Sequence, residues 1–120
     1  MAAPLTLACL CAAWCKTCTE YRQAFDALVA PTPGLQAAWV DIEDHADALE
    51  AFGEVPDVDD FPTLLLMRGE QPLFYGPVLP HAAVAQRLLA QADALPVCEE
   101  AEVQHLAQAV AELLRSGLLR

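Results

Sequence analysis

Apolar and polar positions follow one another along this chain in blocks of different period. Leu5 to Ala13 is apolar without alternation, as expected of a central parallel strand covered on both faces, and so implies helices on both sides of a sheet. From Cys15 to Val29 the pattern turns helical. Cys18, Tyr21, Phe25 and Leu28 share one stripe, Glu20, Gln23 and Asp26 point outward, and Pro31, Pro33 and Gly34 close the helix. Leu35 to Ile42 reads as a second strand. Asp44 with Asp47 suits the first turn of a short helix that carries Leu49 and Phe52 and stops at Gly53. After a loop from Glu54 to Asp60, Pro62 opens the apolar run Leu64 to Met67, and a turn at Arg68 to Gln71 leads into a shorter strand, Leu73 to Tyr75. This is a hairpin, with proline at the strand start where a sheet tolerates it.

Two further helices follow. One starts at Pro80 and His81, presents Val84, Leu88, Ala92 and Leu95, and ends at Pro96. The last runs from Cys98 to Ser116 with the stripe Val103, Leu106, Ala107, Val110, Leu113 and Leu114. Glu99, Glu100 and Glu102 sit at its positive end, Arg115 at its negative end, and Gly117 at the position after the cap. The order is that of an α/β fold, and 120 residues with 56% hydrophobic content support one core. The expected organisation is a domain over residues 1–95 and an additional helix over 96–120. That helix must bury its stripe, either on the chain's own sheet or in a homodimer through 98–116. The short connection at Pro96 and Val97 favours a monomer with the helix antiparallel to its predecessor.

Charge narrows the partners. A net charge of −11, from 17 acidic and 6 basic residues, argues against nucleic acid and anionic membranes. The stretch from Asp41 to Asp60 holds many acids and no Lys or Arg, and reads as a solvated, strongly negative side. No apolar run reaches the length of a membrane span. Ala8-Cys9 imitates a leader cleavage site, yet no basic residue precedes the apolar run, and cleavage would remove the first strand. A cytoplasmic location is therefore expected. The odd count of 5 cysteines fits a reducing compartment with one working pair.

The candidate chemistry is in Trp14-Cys15-Lys16-Thr17-Cys18. Cysteines at i and i+3 of a helix share one face within disulfide reach. Cys15 falls at the helix N-terminus, where free N–H groups and the dipole favour a thiolate, whereas Cys18 continues the buried stripe. Lys16, the only lysine, should lower the Cys15 pKa and make the disulfide more oxidising; Asp59 and Asp60 would oppose this if they border the groove. Cys9 and Cys11 face one way from the strand and read as core. His45, His81 and His105 read as surface or capping residues. The C-x3-C-x2-C spacing of Cys11, Cys15 and Cys18 also matches a cluster-binding motif of radical enzymes, but no fourth ligand is evident and the chain is too short for their barrel. No metal and no cofactor are expected.

The apolar strand running into Trp14-Cys15-Lys16-Thr17-Cys18, followed by Phe61-Pro62-Thr63-Leu64-Leu65-Leu66 in a βαβαββα order, resembles the thioredoxin family over about residues 4 to 95. The resemblance implies a three-layer sandwich with a mixed central sheet, here with an extra C-terminal helix. It also implies thiol-disulfide oxidoreductase activity in cell redox homeostasis, on disulfides of proteins or small molecules, with a reductase to recycle the pair. Cys15 would be the nucleophile and Cys18 the resolving cysteine, with Trp14, Phe61 and Pro62 on the substrate side and Pro62 as a cis-proline. The chain departs from the family at Cys9, where a buried acid is usual, and at Trp39, where a lysine often partners that acid. Lys16-Thr17 replaces Gly-Pro, and the N-terminal strand-helix unit is absent. The alternative is a binding or adaptor module of the same fold in which the thiols are secondary.

Overall fold

The structure is a computed structural model that describes residues 4–59, 62–79 and 81–119. The apolar run near the N-terminus forms β1 (Leu5–Cys11), which lies inside a four-stranded sheet of order β2-β1-β3-β4. β2 (Leu35–Asp41) pairs parallel to β1, with Cys9 opposite Trp39 and Cys11 opposite Asp41. β3 (Thr63–Arg68) runs antiparallel to β1 on its other side, and the hairpin continues into β4 (Gln71–Pro77). Period-two geometry sends alternate side chains of β1 to opposite layers. Leu7, Cys9 and Cys11 join Leu64 and Leu66 against α1 (Lys16–Val29) and α3 (Ala82–Ala90). Ala8 and Leu10 join Val40, Leu65 and Met67 against α2 (Ala46–Leu49) and α4 (Ala101–Arg115). The result is the three-layer α/β sandwich with a mixed sheet that the sequence predicts.

The last helix differs from expectation in two ways. α4 begins at Ala101 rather than Cys98, because the Cys98 N–H donates to the Pro72 carbonyl (2.8 Å) and Gln104 Nε2 donates to the Cys98 carbonyl (3.1 Å), tying the lead-in to β4. Of the three glutamates, only Glu102 lies in the first turn. Nor does α4 lie beside α3. A 3₁₀ turn at Ala92–Ala94 ends α3 early, and the chain passes the β4 edge to the opposite face. That face needs cover, since α2 has only 4 residues and buries only Leu49 there. The stripe Val103, Leu106, Ala107, Val110 and Leu113 supplies it, with all five buried in the chain's own core.

Local details also shift. Phe52 falls beyond α2 and is 43% exposed. Asp41, not Asp44, organises the turn after β2: its Oδ1 accepts from the Glu43 and Asp44 N–H groups at 2.9 and 3.1 Å. His105 is no plain surface residue. Its Nδ1 lies 2.8 Å from the Glu54 carbonyl, and its ring is so close to Gly53 that a Cβ there would stand 2.6 Å from it.

Candidate functional site

β1 ends at Cys11, and the chain turns back when the Cys15 N–H donates to the Ala12 carbonyl at 3.0 Å. Cys15 holds the N-cap position of α1 in extended conformation, and its carbonyl accepts from the Thr19 N–H at 3.2 Å to start the helix. Its thiol is partly exposed at the start of the first turn, where the helix leaves backbone N–H groups without intrahelical partners. Cys18, one turn on, points into the core and is 2% exposed. Burial pushes its thiol well above the ordinary range, hydrogen bonds with the Cys11 and Cys15 thiols add to this, and the Ala12 backbone opposes it. Two thiols three positions apart therefore occupy different media. Lys16 follows Cys15 at the exposed start of α1.

Behind Cys18 lie more thiols. Cys9 and Cys11 are buried in β1 with their sulfurs 3.4 Å apart, so the row runs Cys9, Cys11, Cys18, Cys15. The Cys11 thiol is held far above its ordinary range by its hydrogen bond with Cys9 and then by burial. Tyr21 reaches the same place; its buried hydroxyl finds no hydrogen-bond partner among the described residues, and burial, then Cys9 and Cys11, push it up to about 12. Among the described residues no group of three or more Cys, His, Asp or Glu converges as a metal ion needs. Cys11, Cys15 and Cys18 are neighbours in a row rather than a ligand set.

Other strand ends reach the same end of the sheet. Thr63 pairs with Leu10, so Pro62 stands at the same end of the sheet as Cys15, buried, with its carbonyl accepting from the Val78 N–H at 3.0 Å. Phe61, and with it the Phe61–Pro62 peptide expected to be cis, lies outside the described residues. Trp14 and Leu79 present large apolar surfaces near this end, 69% and 68% exposed. On the flank of Cys18, between α1 and the ends of β1 and β2, opens a cleft of about 520 Å³. Cys18, Arg22, Trp39, Asp41, Asp44 and His45 are among its walls. The Arg22 guanidinium lies 4.7 Å from the Trp39 ring centroid and 3.5 Å from Asp26. The sequence shows Asp41 only as the first acid of a charged stretch; its placement on this cleft comes from the end of β2.

No family model matches this sequence, and no curated protein does. Solved structures do. The germline-specific thioredoxin Deadhead of Drosophila melanogaster superposes with a TM-score of 0.61 at 17% identity, covering 73% of this chain and 80% of that one. Fasciola hepatica thioredoxin gives 0.60 at 18%, covering 74% and 81%. Thioredoxin O1 of Arabidopsis thaliana, in its oxidised state, gives 0.59 at 18%, covering 74% and 78%. The chain has a thioredoxin-like fold.

Proposed function

We propose that this chain is a thiol-disulfide oxidoreductase that works through Cys15 and Cys18, acting on protein disulfides in a reducing, cytoplasmic setting and recycled by a separate reductase. The observation that carries the reading is the contrast within the pair, with Cys15 partly exposed at the N-cap of α1 and Cys18 buried one turn on. The Cys15 thiolate attacks a substrate disulfide, forming a mixed disulfide and releasing one substrate thiolate. Cys18 then attacks the Cys15 sulfur, the bond to substrate breaks, and the second substrate thiolate leaves. The substrate gains two electrons and the dithiol becomes a disulfide. Exposed Trp14 and Leu79 favour a polypeptide substrate lying across the surface over a small molecule enclosed in a pocket.

The experiment is trapping. Cys18→Ser should accumulate a mixed disulfide through Cys15, Cys15→Ser should form none, and limited iodoacetamide on the reduced protein should label Cys15 before Cys98 and the three buried thiols. Mass spectrometry that found Cys18 or Cys9 labelled first would overturn the assignment. A Cys15→Ser variant that fully replaced the wild type in cells would favour the adaptor reading instead.

A further inference from the structure

We propose that Asp41 takes up the proton that Cys18 must lose to attack the mixed disulfide, through water in the cleft that the two residues share. This rests on the exchange reading above. The resolving step needs a Cys18 thiolate, and the fold holds Cys18 as a thiol. Inward, the proton has nowhere to go. Cys11, Cys9 and Tyr21 are themselves weak, buried acids, and a proton passed along them reaches no base. On the substrate side Cys15 is already bonded to the substrate sulfur. The remaining route is the cleft, whose volume of about 520 Å³ accommodates a chain of waters.

Asp41 is the best-placed acceptor on that route. It ends β2 directly beside Cys11 in the parallel register, and Cys11 is the thiol that touches Cys18. Its Oδ1 is fixed by the Glu43 and Asp44 N–H groups, while its second oxygen has no hydrogen-bond partner among the described residues. The other titratable or charged groups facing it are Arg22 and Cys18 from α1, Cys11 from β1, and Asp44 and His45 from the turn before α2. Arg22 is the cation of the group and is shared with Asp26 and the Trp39 face. In the step, the Cys18–H bond breaks, the Cys15–Cys18 bond forms, the Cys15–substrate bond breaks, and the proton passes through water to the carboxylate.

The test separates the two halves of exchange. Reduced protein in a Cys98→Ser background is mixed with dithiobis(nitrobenzoate), which releases one coloured thiolate on attack by Cys15 and a second on attack by Cys18. Asp41→Asn keeps the Oδ1 acceptor and should leave the first phase within about twofold while slowing the second about 100-fold near pH 7, in the range of a lost general base. The second phase should be flat from pH 6 to 8 in the wild type and rise about tenfold per pH unit in Asp41→Asn, where hydroxide must serve. Asp41→Glu should restore the flat profile, and Asp44→Asn and His45→Gln should behave as wild type. Equal second phases in wild type and Asp41→Asn, equal slowing of both phases, or a loss confined to His45→Gln would each overturn the role of Asp41 and leave the exchange reading intact. A wild type that shows neither phase overturns both.

Discussion

Burial of sulfur gives individual residues a measurable effect on stability. Cys11 and Cys18 hold their protons far above the ordinary 9.0 of a thiol, the first chiefly through Cys9 and the second through burial. The unfolded chain therefore starts to release these protons near pH 9 while the folded chain retains them, so the native state binds more protons. Stability is complete below that pH and falls as pH climbs above it, by up to about 1.4 kcal/mol per pH unit for each group. Thermal melting should be flat from pH 7 to 8.5 and drop steeply by pH 10.5, with a shallower drop in Cys18→Ala; an equal drop in both would refute the linkage. At this scale the sequence was readable where chemistry is local. The partial exposure of Cys15 and the burial of Cys18 follow from their spacing and from the stripe through Tyr21 and Phe25. The contacts of Cys11 with Cys18 and of Asp41 with the cleft depend on strand register and helix packing, which no local pattern encodes.

Among the elements, α4 shows what a hydrophobic stripe predicts and what it omits. The stripe foretold burial, and the structure places it on the chain's own sheet. The face it covers was not legible, because that choice follows from the brevity of α2 and from the Cys98–Pro72 bond, both tertiary facts. Leu106→Glu with Leu113→Glu buries two unpaired charges and should abolish cooperative unfolding, since Leu106→Ala alone costs about 2–5 kcal/mol. Retention of a folded chain at half the wild-type mass by light scattering would instead show the stripe to be an intermolecular seam. His105 of α4 also packs on Gly53, which has a φ of 138°. Gly53→Ala strains the backbone and meets the His105 ring, for a loss of about 1–3 kcal/mol. In a His105→Ala background the same substitution should cost less, because only the backbone strain remains. Full additivity in the double-mutant cycle would show that the ring is not the obstacle.

For the molecule as a whole, the order β2-β1-β3-β4 leaves two sheet edges, and they are not alike. β4 carries Pro72 and Pro77, which remove backbone donors, and its Pro72 carbonyl is taken by Cys98. β2 has no proline, and among the described residues it pairs with β1 alone. An open edge of this kind is a template on which a second copy can add, and Asp41, at its very end, is the only charged residue on β2. At neutral pH the net charge of −11 keeps copies apart. The acidity of the chain is thus a colloidal safeguard, and it fails near the isoelectric point of about 4.3. Turbidity should peak there and subside when Gln36→Lys puts a charge on the open strand; a peak unaltered by that lysine would assign the association to another surface. Acidification would then turn a dispersed protein into one that self-associates strand to strand, by titrating carboxylates that lie far from the edge that sticks.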